Sequence, residues 1–327
     1  MITIHFETTD LENIRFAYSP LIELSASYKV LKNPDQYGLH MAWVEETKRA
    51  IYGLDLPFMD ALILSKTYIA DFLTPTPSGI RVSFEDEIEW MRATPIEVIR
   101  QNVEMVIRVS EDSEVRQFFL TYPREAVECL IDELRLYWGL ALAHYWGRIQ
   151  SVLEGDVLYR ARAMALHGVE PMLDALDPVV RYQNGAIHLE KDPPYHAKEH
   201  WLRGRGMQLV PIIFRCKSVS WQIVPEWQPM IIYGARGAGL WHSYKLPDPE
   251  EALVVALGGS KAKMLHALRD PAHTSELAHK LNLTAGAVSQ QLSRLNQAGL
   301  VESHRSSNRV YYRLTPRGER LLDIFTH

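Results

Sequence analysis

Two short runs of helical periodicity, joined by a tight turn and followed by two alternating runs around a polar loop, occupy residues 273–314. No other feature constrains the fold as much. "HTSELAHKLNL" sets Leu277, Ala278 and Leu281 on one helical face, with Thr274 positioned to cap it. After Asn282 and Leu283, "TAGAVSQQLSRLNQAGLV" repeats apolar side chains at Ala285, Val288, Leu292 and Leu295, with Thr284 as its cap. Two short helices in this order form a helix-turn-helix. "LVESHRSSNRVYYRLTPRGERLLDIF" then predicts strand, polar turn, strand and terminal helix, so the hairpin is the wing of a winged helix.

The outward face of the second helix is unusual for a surface. Gly286, Gln290, Ser293 and Gln297 fall together by steps of three and four, with Ala287, Ser289 and Arg294 at the margins, where Lys and Glu are the ordinary choice. Small residues permit close approach to a duplex, Gln can pair bidentately with an adenine edge, and Ser or Arg can hold phosphates. Arg305 and Arg309 on the wing turn "HRSSNR" suit phosphates or the minor groove. A small, polar face alone is also what a solvated helix shows; the order of helix, helix and Arg-tipped hairpin favours insertion into the major groove. Charge agrees, since the segment from Lys245 onward holds 11 Lys/Arg against 8 Asp/Glu while the preceding residues hold 24 against 32.

The remainder of the 327-residue chain is long enough for a separate core. "ITIHF" alternates as a short strand, and Asp10 is placed to cap the next element. "SPLIELSASYKVLKN" starts a helix with Ser19 as cap and Pro20 in the first turn; Thr94, Pro95 and Glu97 have the spacing of a capping box. Helical spacing continues to about Leu176. "VVRYQNGAIHLE" then sets Asn184-Gly185 between two alternating runs, which predicts a hairpin, and "MQLVPIIF", "SVSWQIV" and "PMIIYG" predict further strands. "YKLPDPEEAL", with Pro247 and Pro249, has the composition of a linker. The expected architecture is α+β, mainly α: a large helical body with a small antiparallel β segment over residues 1–246, then a winged helix-turn-helix over residues 247–327.

"SELAHKLNLTAGAVSQQLSRLNQAGLVESHRSSNRVYYRLTPRGERLL" resembles the DNA-binding domain of ArsR-type bacterial winged-helix repressors, in which "S-x-x-L-x-x-L" followed by an "AGLV" turn into the wing recurs. The upstream segments "LEGDVLYRARAM", "GRGMQLVPIIF" and "WQPMIIYGARG" resemble a long amino-terminal domain of unassigned function found in some ArsR-like regulators. The resemblance implies that Thr284, Ala287, Ser289, Gln290, Ser293 and Arg294 lie on the reading helix and that Arg305, Arg309 and Tyr311 lie on the wing. It also implies a homodimer on a twofold or near-twofold operator. Metal-sensing members carry a Cys pair on the helix equivalent to "SELAHKL", where this chain has none, and only Asp323 and His327 stand one turn apart on the terminal helix. No metal and no cofactor are expected.

Catalytic patterns are sparse. "HAKEH" at residues 196–200 matches the H-x-x-E-H pattern of inverted zinc peptidases, which needs His196 and His200 on one helical face and Glu199 as base, but a third ligand is not assignable. "GARGAG" at residues 234–239 lacks the strand-glycine-helix context of a dinucleotide site and suits a turn leaving a strand. Tyr137, Trp138, His144, Tyr145 and Trp146 are candidate ligand-pocket rings, although packing between the helical body and the β segment is the favoured role for such a cluster. Cys129 and Cys216 form no CxxC pair, and no stretch reaches about 18 uninterrupted apolar residues. The expectation is a cytoplasmic, non-enzymatic regulator that binds double-stranded DNA as a homodimer, with a small-molecule effector as a further partner and no membrane. The alternative is a protein-interaction module or metal-dependent hydrolase whose winged helix does not bind DNA.

Overall fold

In a computed structural model of the protein, Ser19 Oγ accepts the Ile22 amide hydrogen (3.0 Å) and Pro20 opens the helix Pro20–Lys32, as the local sequence predicts. The structure describes residues 1–36, 38–64, 68–80, 82–190, 198–214, 219–239, 241–242, 249–306 and 309–324. Contacts divide the chain into two units, Met1–Ser243 and Tyr244–His327. Helix predominates and the sheets are small, so the fold class is α+β, mainly α.

The first unit has a helical core and a sheet core. The helical core gathers Tyr28, Trp43, Phe72, Phe119, Leu130 and Tyr137, all fully buried, from the helices Pro20–Lys32, Met41–Ala50 and Pro123–Ala141 and the segments between them. Trp43 Nε1 donates to the Ala141 carbonyl at 3.0 Å, which satisfies both the indole and one terminal helix acceptor.

Strands β1 (Ile2–His5), β2 (Ile14–Phe16), β3 (Val180–Gln183), β4 (Ala186–Leu189), β5 (Glu199–Trp201), β6 (Met207–Ile212), β7 (Ser220–Gln222) and β8 (Met230–Gly234) form two four-stranded sheets, ordered β3-β4-β1-β5 and β2-β6-β8-β7. The β3-β4 hairpin turns through Asn184 (φ 54°) and Gly185 (φ 75°), with Gln183 opposite Ala186. Both turn residues take the left-handed geometry that the dipeptide anticipates.

The β segment is mixed rather than antiparallel. β1 runs antiparallel to β4 but parallel to β5, and β6 is parallel to both β2 and β8. Parallel neighbours need a long crossover. The helices between Phe16 and Met207 supply it for β1-β5 and β2-β6, while residues 213–229, with β7 among them, connect β6 to β8; two strands from the first sixteen residues thus take places in two different sheets.

Two of the expected caps also differ. Asp10 lies inside the short helix Thr8–Glu12 rather than before it, where its carboxylate accepts the Glu7 amide at 2.8 Å and the distant Gly206 amide at 2.8 Å. The residues Thr94, Pro95 and Glu97 form no capping box. The preceding helix, Phe84–Arg92, is capped by Ala93, and Thr94 follows it, its amide donating to Met91 O and its hydroxyl turning back to Trp90 O, which leaves Pro95 as the cap of Ile96–Val109.

Buried acids close several other element ends. Glu23, fully buried, accepts the Ile213 amide (2.6 Å) and the Phe214 amide (3.2 Å) just beyond β6. Asp156, on the helix Trp146–His167, accepts the Tyr233 hydroxyl of β8 (2.8 Å), the Arg236 amide (3.0 Å) and the Arg160 guanidinium (3.0 Å). Arg160 in turn donates to the carbonyls of Ala175 and Leu176. "LEGDVLYRARAM" and "MIIYGARG", far apart in sequence, are thus joined by one buried polar network.

Glu87 provides a test. Its Oε2 accepts from the Ser19 hydroxyl (2.9 Å) and the Leu21 amide (2.8 Å), while its buried Oε1 has no hydrogen-bond partner among the described residues. Burial pushes this carboxyl up to about 8, against the downward pull of both donors. A folded value above the unfolded one makes the stabilising contribution complete below the unfolded value of 4.5 and lost as pH rises through about 8. Glu87→Gln, neutral at every pH, is expected to flatten the decline of stability between pH 5 and 8 by up to ~1.4 kcal/mol per pH unit. Urea denaturation across that range checks this; equal slopes for the two proteins would contradict it.

Candidate nucleic-acid interface

The second unit is built on the buried side chains of its helix-turn-helix. Its first helix, Thr274–Leu281, is capped by His273 and not by Thr274: the chain enters in extended form, and His273 Nδ1 accepts the Glu276 amide at 3.1 Å. That extension pairs β9 (Ala272–His273) with the wing and leaves Thr274 as the first helical residue. The turn comes next, through Asn282 in left-handed geometry (φ 52°), with the Leu283 amide closing onto Ala278 O at 2.9 Å. The second helix, Ala285–Gln297, starts at Thr284, whose hydroxyl oxygen accepts the Ala287 amide at 3.2 Å. Val288, Leu292 and Leu295 are buried in one core with Leu265, Leu277, Val301 and Leu322. Ala285 is exposed, because the first helical position projects past the edge of this core.

The opposite face is free. Thr284, Gly286, Ser289, Gln290, Ser293, Arg294 and Gln297 are exposed and Ala287 is half-buried. All but Thr284 line one shallow, open concavity made entirely by this helix. The helix contains no acidic residue, and Arg294 forms no ion pair among the described residues. Amide donors at the helix start, neutral hydrogen-bonding side chains and one uncommitted guanidinium make a surface that attracts a polyanion without a competing internal carboxylate.

The wing pairs β10 (Val301–Ser306) with β11 (Arg309–Leu314) in antiparallel register, Val301 opposite Leu314 and Ser306 opposite Arg309. Arg305 is exposed near its tip and also lacks an ion pair among the described residues. Arg309 starts β11, but its side chain lies outside the described residues. Tyr311 sits at the root: it is half-buried opposite His273, with the rings edge to face at 5.8 Å. His273, which sequence reasoning did not single out, therefore links the first helix to the wing. Its only local signal is a position immediately before the helix, where Thr274 looked the better cap.

Other sequence candidates fall elsewhere. Tyr137 is fully buried with its hydroxyl 3.1 Å from that of Ser27; Trp138 stacks on Phe84 at 4.6 Å and meets Trp146 at 5.3 Å; Tyr145 packs edge-on against Trp241 at 5.4 Å; His144 is exposed. Trp138 and Trp146 thus share one contact and His144 and Tyr145 another, at 3.9 Å, while Tyr137 packs edge-on against Tyr28. Of "HAKEH", His196 lies outside the described residues, while Glu199 and His200 are consecutive in strand β5 and so point to opposite faces. His200 therefore lies on a strand and not on the helical face that the pattern requires. Asp323 is exposed on the helix Pro316–Ile324, and His327 lies outside the described residues. No group of three or more metal-binding side chains occurs among the described residues.

The terminal helix is set by a close backbone approach. A Cβ on Gly318 would lie 2.1 Å from the Leu300 carbonyl oxygen, which is itself held by the Thr315 amide at 3.1 Å. Gly318→Ala is therefore expected to destabilise this unit by about 2 kcal/mol or more through overpacking. Thermal denaturation followed by circular dichroism checks it, and an unchanged transition would show that the helix can shift without cost.

Residues 260–303 match the family described as bacterial regulatory protein, arsR family. No protein of curated function and no solved structure was found to be similar to the chain. Among the described residues no helix is long and apolar enough to cross a membrane. The matched span includes both helices of the helix-turn-helix and the start of the wing, so the chain carries, after a long amino-terminal region, an ArsR-family regulatory domain and is a DNA-binding transcription regulator.

Proposed function

We propose that the protein is a sequence-specific transcriptional repressor that binds a near-twofold operator as a homodimer in the cytoplasm. The observation that carries this reading is the acid-free helix face from Gly286 to Gln297, exposed beside a wing that bears Arg305. The reading helix enters the major groove, where Gln290 contacts a base edge and Ser289, Ser293 and Arg294 hold the adjacent backbone. Arg305 secures the wing to phosphate or to the minor groove. In a dimer, half-sites lie about one duplex turn, ~34 Å, apart. The first unit mediates dimerisation and senses a small molecule, without catalysing a reaction of its own.

Fluorescence anisotropy with a duplex from upstream of the protein's own coding region, challenged by a scrambled duplex at several salt concentrations, tests the reading. Tight binding that the scrambled DNA does not displace, and that weakens steeply with salt, is expected. Equal, weak binding to both duplexes would overturn it. Gln290→Ala is expected to relax preference at one base pair by about 1–3 kcal/mol. Arg305→Ala should weaken all sequences alike and lower the salt slope by about 1. An unchanged sequence preference for the Gln290 variant would remove this helix face from base readout.

A further inference from the structure

The first unit contains a cavity of about 410 Å³, the size of a small-metabolite site, walled by segments far apart in sequence. Tyr68 and Asp71 enter from one side, Val98, Asn102 and Met105 from the helix Ile96–Val109, His200 from β5, and Trp221 and Gln222 from β7, with Glu226 beyond it. Its polar walls are fixed. Tyr68 Oη donates to Asp71 Oδ2 at 2.8 Å, the Phe72 amide donates to Asn102 Oδ1 at 2.9 Å, and Gln222 Nε2 donates to the Asp71 carbonyl at 3.1 Å. That last bond sets the amide orientation of Gln222 and directs Oε1 away from the Asp71 carbonyl.

This oxygen is the unexplained group. Gln222 is only 5% exposed, and Oε1 has no hydrogen-bond partner among the described residues. A buried amide oxygen left unpaired is costly, and a hydrogen donor supplied by a ligand would remove that cost. Among the described residues the lining contains two carboxylates, Asp71 and Glu226, an indole, and no Lys or Arg. Burial, with Glu226 adding to it, pushes Asp71 up to about 6, so a bound cation would relieve a carboxylate held under strain of desolvation.

We propose that this cavity binds a small organic primary amine in its protonated form. The ammonium group donates to Asp71 and to Gln222 Oε1, and the apolar remainder lies against Trp221, Val98 and Met105. An N–H donor is required by the unpaired oxygen, a positive charge by the two carboxylates, and an apolar body by the rest of the wall. Binding here does not depend on the DNA-reading face. Only the further step, that the amine alters operator affinity, rests on the repressor reading above.

Isothermal titration calorimetry of the full-length protein without DNA separates the two. The probes are 2-phenylethylamine, its N-acetyl derivative, its N,N,N-trimethyl derivative and 3-phenylpropionate. The primary amine should bind at least about tenfold more tightly than each of the others. Asp71→Asn should weaken it by about tenfold or more. Because Asp71→Asn also alters the Tyr68 contact, Val98→Trp serves as a second variant: it should abolish binding by filling the cavity while the thermal transition is retained. No heat with the amine at millimolar concentration, equal affinity for the N-acetyl or carboxylate probe, or binding unaffected by both variants would overturn the assignment. Amine binding that leaves operator affinity unchanged would sustain the site and refute its coupling to repression.

Discussion

Backbone donors at the ends of short elements must find acceptors once they are buried, and in the first unit that requirement is met largely by acidic side chains. Asp10 takes the Gly206 amide, Glu23 those of Ile213 and Phe214, Glu87 that of Leu21, Glu133 those of Phe58 and Met59, and Asp156 that of Arg236. A fold of many short helices and three- to six-residue strands creates more such ends than long elements would. Five acids of the amino-terminal region are therefore engaged in closing the fold, and the acidic balance of that region does not describe its surface alone. Most of these contacts span more than sixty residues, so they hold strands from both ends of the unit to the helices between them.

The second unit solves a different problem. Its core is a small set of Leu, Val and Ala side chains, and its free surface must stay uncommitted. The caps that start the two helices of the helix-turn-helix are His273 for the first and Thr284 for the second. Neither cap is a carboxylate. Glu302 does lie on the wing, but it is paired with Arg313 at 2.6 Å, directly across the hairpin. Among the described residues Arg294, on the helix Ala285–Gln297, and Arg305, near the wing tip, have no acidic partner, and the same holds for Lys261, Lys263, Arg269, Lys280, Arg317 and Arg320 elsewhere in the unit.

Legibility followed the range of the physics. The helix-turn-helix and the Asn184-Gly185 hairpin rest on periodicity and on backbone geometry within a few residues, and both appear where the chain predicts them. Caps were legible where one residue was clearly suited, as at Ser19 and Thr284, and shifted where neighbours compete: Thr94 bonds back to the end of the preceding helix, and His273 is drawn into a strand. The parallel pairing of β2, β6 and β8 depends on a crossover longer than any local pattern, and "HAKEH" could not reveal that β1 recruits its last residues as a strand. The cavity was invisible for the same reason. Its key oxygen belongs to Gln222, an ordinary residue in a three-residue strand, whose meaning appears only when Asp71 orients it.

Charge separates the partners proposed for the two units. The reading helix offers a cation and neutral donors to a polyanion, and the same lack of acids makes it a poor seat for an amine. The cavity in the first unit offers carboxylates and an unpaired carbonyl, and the absence of Lys and Arg among the described residues of its wall makes phosphate a poor occupant. Coulombic interaction outside these sites is screened within about 8 Å at physiological ionic strength. An amine bound near Asp71 therefore cannot change operator affinity by its charge acting through solvent over any greater distance. Coupling, where it exists, must pass through the packed elements that wall the cavity, and the element best placed to carry it is β7, whose Gln222 touches Asp71 and whose neighbour β8 is tied by Tyr233 to the buried Asp156 network.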